Sequence, residues 1–123
     1  VGALGGRLDQ TLANLSLLTD PALPGIDIRL DDGVEEAFFC RASDAKRGQA
    51  EIRGRSGDTV SLIAWHGPVE GVATKGLQWP LYGETLFLYK SRGVSNVMLG
   101  ENASVKIAKG LLLIVHRRED LKS

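Results

Sequence analysis

The feature that most narrows the fold is the punctuation that follows Arg47. Short apolar stretches recur at intervals of about ten residues, each closed by a glycine turn. Gln49 to Arg53 and Asp58 to Trp65 read as strands joined by Gly54-Arg55-Ser56-Gly57. Val69 to Thr74, Glu84 to Leu88, Val94 to Leu99 and Ala103 to Ala108 continue the series, and Lys109-Gly110 turns into Leu111 to His116. Segments this short and this closely spaced leave no room for the crossover helices that a parallel sheet requires. They predict a mainly β fold, a β-sandwich or a jelly-roll-like barrel. In Ala103 to Ala108, Val105 and Ile107 alternate with Ser104 and Lys106, which gives that strand one core face. Leu111 to Val115 is apolar without alternation. It reads as a central strand covered on both sides, or as a face used by a second subunit.

The first part of the chain has a different rhythm. Leu8, Leu12, Leu15 and Leu17 or Leu18 recur at helical spacing, so Arg7 to Leu18 predicts a helix of about three turns. Gly5 and Gly6 lead into it, an arrangement that sometimes binds anions but more often only lets strand and helix pack closely. Pro21, Pro24 and Gly25 end the helix. Ile26 to Leu30 and Val34 to Arg41 then predict a hairpin around Asp31-Asp32-Gly33. The polar run from Ser43 to Arg47 marks a boundary: residues 1–45 form a remnant of a preceding unit, and 46–123 an all-β domain. The opening Val1-Gly2-Ala3-Leu4 resembles the tail of a strand, as expected of a fragment whose upstream half lies elsewhere.

Composition removes several function classes. Acidic and basic side chains balance at 15 each, so no net field draws nucleic acid or an anionic membrane to the chain. Lys46, Arg47, Arg53 and Arg55 form a small basic cluster, but no aromatic ladder interleaves it and the expected role is a solvated face. No apolar run approaches the ~20 residues that span a bilayer. Cys40 is the only cysteine; it follows Phe38-Phe39 and reads as a buried thiol, and its isolation fits a reducing compartment such as the cytoplasm. His66 and His116 have no ligand spacing and read as strand-end residues. Asp31, Asp32, Glu35 and Glu36 invite a metal site, but the hairpin turn accounts for them and no metal is expected. Arg117 to Ser123 reads as a charged, solvated tail.

Chemistry concentrates between Gly76 and Asn96. Gly76 suits a positive φ or a close backbone approach, and Pro80 ends the ladder pairing begun by Leu77 and Gln78. Trp79 is therefore expected where a strand meets a turn, its indole free to stack on a flat ring. Arg92-Gly93-Val94-Ser95-Asn96 is a second turn cluster, and Ser95 and Asn96 both donate and accept hydrogen bonds. Indole, hydroxyl and amide together suit a heteroaromatic ligand with a polar edge.

Four blocks in order carry a family resemblance: Gly57-Asp58-Thr59-Val60-Ser61-Leu62-Ile63, Gly71 to Leu81 with its Gly76-Leu77-Gln78-Trp79 core, Ser91 to Asn96, and Lys109 to Val115. They resemble the thiamine-binding C-terminal domain of thiamine pyrophosphokinases. Gly5-Gly6-Arg7-Leu8-Asp9-Gln10 resembles the end of the same family's α/β catalytic domain, so the likeness runs over nearly the whole chain. The resemblance implies transfer of diphosphate from ATP to the thiamine hydroxyl, giving thiamine diphosphate and AMP. It makes Trp79, Ser95, Asn96, Arg7, Asp9 and Gln10 substrate contacts, with Asp9 also a candidate for the reacting hydroxyl. Gln10 stands where many relatives have His. The acidic motifs that hold magnesium and ATP are expected upstream of Val1, so the fragment alone is expected to be inactive and to carry no cofactor. The resemblance implies a homodimer as well, with a pocket between the catalytic domain of one subunit and the β-domain of the other. The rival reading is a non-enzymatic β-sandwich that keeps the scaffold and not the substrate.

Overall fold

A computed structural model describes residues 29–31, 33–42, 47–65, 67–87 and 96–119. The helix expected from Arg7 to Leu18 lies outside these residues. So do Arg7, Asp9, Gln10, Lys46, His66 and Ser95 among the residues singled out above.

The described residues form nine strands: β1 (Arg29–Asp31), β2 (Glu35–Ala42), β3 (Gly48–Arg53), β4 (Thr59–Ala64), β5 (Val69–Lys75), β6 (Tyr82–Leu86), β7 (Asn96–Val97), β8 (Asn102–Ile107) and β9 (Gly110–Arg117). They make two antiparallel sheets, ordered β1-β2-β9-β4-β7 and β3-β8-β5-β6. This is the expected mainly β, sandwich-like architecture. Alternation explains how the sheets close: β4 and β8 bury every second residue, Val60, Leu62 and Ala64 on one and Ala103, Val105 and Ile107 on the other. These side chains meet Phe38, Cys40, Ile52, Leu112 and Ile114 in a single core cluster. Val69, Val72, Leu77, Leu81, Leu86 and Met98 complete it.

The hairpin assigned to the preceding unit is hydrogen-bonded into the sandwich. β2 pairs with β9 along its whole length, from Glu35↔Arg117 to Ala42↔Gly110. β2 thus belongs to the five-stranded sheet, and β3 to the four-stranded one. β9 is covered on both sides: Leu112 and Ile114 join the main core, while Leu113 packs with Ala37 in a second cluster beside Leu30, Phe39, Trp65 and Val115. Phe39 and Trp65 meet edge to face there, centroids 5.3 Å apart.

Cys40 is buried, and burial pushes its thiol up to about 11. It stays protonated near neutral pH, as a packing residue does. Arg47, Arg53 and Arg55 are exposed. Among the described residues no helix is long and apolar enough to cross a membrane.

Candidate functional site

The loop between β5 and β6 is closed at its base by Thr74. Its N–H donates to the Leu81 carbonyl and its hydroxyl accepts from the Leu81 N–H, both at 2.9 Å. Gly76 makes the turn out of β5 with a φ of +83°. A β-carbon at Gly76 would stand 2.5 Å from the Asn102 carbonyl oxygen. Positive φ and close backbone approach therefore coincide at this glycine.

Beyond Gly76 the loop is lashed to the chain that follows β7. Leu99 N–H donates to Gly76 O (2.9 Å), Leu77 forms a bridge with Met98, and Gln78 N–H donates to Val97 O (2.8 Å). At the tip the Asn96 side chain takes over. Its amide nitrogen donates to the Trp79 carbonyl (2.7 Å), and its Oδ1 accepts from the N–H groups of Trp79 (3.0 Å) and Val97 (2.9 Å). Asn96 is buried, at 6% exposure, whereas the Trp79 side chain is held outward with the residue 58% exposed.

The structure thus brings Trp79 and Asn96 together. The amide expected to satisfy a ligand's ring nitrogen and amine has its oxygen committed twice to backbone donors, and one N–H to a backbone acceptor. Its observed role is to fix the backbone that carries the indole. Replacing Asn96 with Ala should cost about 1–3 kcal/mol, because buried backbone groups lose their partners. Urea unfolding measures this, and a cost near zero would show that the pairing does not hold the loop.

Three large apolar residues on or next to these segments are exposed: Trp79, Tyr82 (82%) and Leu99 (62%). An exposed indole on a backbone this tightly tied is preorganised to stack on a flat or cationic ring.

A second constellation lies on the five-stranded sheet that also carries Asn96. His116, wholly buried, sits between two carboxylates: Nδ1 is 3.2 Å from Glu36 Oε2 and Nε2 is 2.8 Å from Asp58 Oδ2. Arg118 forms a forked pair with Asp31 (2.9 and 3.0 Å) and also reaches Glu36 Oε2 (2.8 Å). Arg29 donates to Glu36 Oε1 at 2.6 Å and lies over the Phe38 ring. Arg118 holds the Asp31 carboxyl below its ordinary range, and His116 does so for Glu36. Burial pushes Asp58 up, but hydrogen bonds from His116 and from the Arg55 and Glu119 N–H groups more than offset this, leaving it lowered.

One expectation is extended here and one corrected. His116 does stand at the end of β9, but it is also the centre of a buried ionic network. Arg118 belongs to that network and not to a solvated tail. Parity held the only sequence signal, because His116 stands two residues after Ile114 on the inward face of β9.

Among the described residues, no group of three or more His, Cys, Asp or Glu side chains is placed to hold a metal ion. Asp31, Glu36 and Asp58 are each bonded to arginine or histidine.

A family model described as "Thiamin pyrophosphokinase, vitamin B1 binding domain" matches residues 49–112. Among solved structures, thiamine pyrophosphokinase from Bacillus subtilis superposes with a TM-score of 0.79 at 21% identity, over 94% of this chain and 53% of that one. Thiamin pyrophosphokinase from Candida albicans gives 0.75 at 16% identity, over 94% and 42%. The yeast enzyme gives 0.68 at 18%, over 94% and 38%. The chain spans about half the length of the Bacillus subtilis structure, and less of the other two. At these identities the likeness speaks for the fold. No match emerges among curated protein sequences. The span matched by the family model is just over half of the chain and contains β4 to β8, the Trp79 loop and Asn96, and the chain belongs to the thiamin pyrophosphokinase vitamin B1-binding domain family.

Proposed function

We propose that the domain binds thiamine, with Trp79 as the stacking surface, and serves a thiamine pyrophosphokinase that transfers diphosphate from ATP to the thiamine hydroxyl and releases AMP. The observation that carries this reading is the outward-held indole of Trp79, rigidly mounted by Asn96 inside the family-matched region. Thiamine offers two faces to such a ring, a planar aminopyrimidine and a cationic thiazolium. The second gains from the negative face of an indole.

Arg7, Asp9, Gln10 and Ser95 complete the proposed substrate site, with Arg7 toward phosphate and Asp9 toward the cation or the reacting hydroxyl. Magnesium and ATP are assigned to the remainder of the longer enzyme. In this reading the enzyme is a cytoplasmic homodimer whose pocket lies between the catalytic domain of one subunit and the β-domain of the other.

Calorimetric titration with thiamine, on this chain and on one extended upstream, tests the proposal. The extended protein is expected to bind. Trp79→Ala should weaken binding by about 1–2 kcal/mol, roughly five- to thirtyfold, and Trp79→Phe by less. No heat from the extended protein would favour a β-sandwich module that binds something else.

A further inference from the structure

One row of side chains crosses the five-stranded sheet. Glu36 on β2 stands opposite His116 on β9, His116 opposite Val60 on β4, and Val60 opposite Asn96 on β7. Directly opposed residues share a face, so the ionic cluster and the amide that mounts Trp79 lie on one side of the sheet. Two strand spacings, about 10 Å, separate His116 from Asn96.

The connection between them runs through Asp58. Its carboxylate accepts from three groups: His116 Nε2 at 2.8 Å, Arg55 N–H at 3.1 Å and Glu119 N–H at 3.2 Å. Its carbonyl accepts the Met98 N–H at 2.8 Å, and the adjacent Gly57 N–H donates to Met98 O at 2.9 Å. Met98 in turn bridges Leu77 and is flanked by the Gln78–Val97 and Gly76–Leu99 hydrogen bonds. β7 itself is only Asn96–Val97, paired with β4 through those residues alone. Its placement therefore leans on the Gly57–Asp58 turn. There is little slack: a β-carbon on Gly54 would lie 2.5 Å from Asp58 Oδ2 and 2.7 Å from His116 Nε2.

A carboxylate has no proton to give, so an imidazole bonded to one carboxylate at each nitrogen must donate from both, and is a cation. The charged groups facing it are Glu36 from β2, Asp58 from the turn before β4, Arg29 and Asp31 from β1, and Arg118 after β9. β4 contributes apolar Val60 and β7 neutral Asn96. Three carboxylates then face two guanidiniums and one imidazolium, and the cluster is neutral only while His116 is protonated. Burial pushes the imidazole down, but the hydrogen bonds it donates to Glu36 and Asp58 outweigh this and leave His116 above its ordinary value.

We propose that His116 is a positioning residue of the thiamine site: its charge fixes Asp58, Asp58 fixes Met98 and β7, and ligand affinity therefore follows the charge on a group that never touches the ligand. This rests on the thiamine reading above for the ligand, but not for the effect on Trp79. The stabilising form is the protonated one. Its contribution is complete below the ordinary imidazole value of about 6.5 and is lost as pH rises through the higher folded value.

The test uses the Trp65→Phe variant of the full chain, in which Trp79 is the one remaining tryptophan of two. Acrylamide quenching of Trp79 is followed against pH without ligand, and calorimetric affinity for thiamine against pH on the upstream-extended protein. Circular dichroism confirms that both stay folded. Both readouts should change through one step on the alkaline side of about 6.5. His116→Gln should abolish the step and weaken thiamine binding between about twofold and thirtyfold at neutral pH, the span typical of coupling through intermediate residues. A step that survives in His116→Gln overturns the proposal. Should that variant not fold, ring resonances of His116 in the parent protein decide: their titration midpoint must coincide with that of Trp79 quenching, and separate midpoints overturn it. Absence of thiamine binding alongside an intact quenching step would remove the thiamine reading and leave the positioning of Trp79 by His116 standing.

Discussion

Replacing His116 with leucine is expected to destabilise the domain by about 3–5 kcal/mol, the range seen when one partner of a buried ion pair is removed. Leucine fills the volume but leaves Glu36 and Asp58 facing each other with no cation between them. Arg29 and Arg118 still reach Glu36, but among the described residues Asp58 keeps hydrogen bonds just from the backbone N–H groups of Arg55 and Glu119. Urea unfolding at neutral pH measures the cost. A second arm identifies its origin: Glu36→Gln in the His116→Leu background removes one of the stranded charges and should recover part of the loss. A cost below ~1 kcal/mol would mean that the ionic cluster contributes little.

The second large effect is expected at Gly76, where alanine meets two obstacles at once. A φ of +83° disfavours any residue with a β-carbon, by roughly 1–2 kcal/mol. The added carbon would also lie 2.5 Å from the Asn102 oxygen and 3.1 Å from the Ala103 α-carbon, both backbone atoms that cannot swing aside. Overpacking of this kind typically costs a further ~1–3 kcal/mol. The combined loss of about 2–5 kcal/mol should be accompanied by slackening of the Trp79 loop, since Gly76 O also accepts the Leu99 N–H. Gly83 is the control. Its φ is also positive (+87°), but nothing lies within 4 Å of an added β-carbon there. Gly83→Ala should therefore cost only the backbone part, and equal losses at the two glycines would contradict the steric argument.

These two residues show what the sequence disclosed and what it withheld. Gly76 was legible because its constraint is local: a glycine between a strand and a Leu-Gln-Trp-Pro turn already suggests positive φ. The strands were legible for the same reason, since alternation and glycine punctuation are short-range patterns. The hairpin of β1 and β2 was found as a hairpin, yet its place beside β9 was not, because that pairing joins residues such as Cys40 and Leu112 across most of the chain. His116 was passed over on the same grounds. Its partners Glu36 and Asp58 are 80 and 58 residues away, and no spacing motif records such a meeting. Asn96 is the intermediate case. Sequence brought it beside Trp79 in function, and the structure brings it beside Trp79 in space, but by bonding to the tryptophan's backbone 17 residues away.

The measurement closest to the central claim is a two-dimensional ¹H–¹⁵N NMR titration of the upstream-extended protein with thiamine, following the Trp79 indole N–H and the Asn96 side-chain amide. Saturable shifts at Trp79, with Asn96 responding as its rigid mount and the Trp65 indole unmoved, are the predicted result. Saturable binding that shifts neither the Trp79 indole nor the Asn96 amide would place the ligand elsewhere and contradict the account.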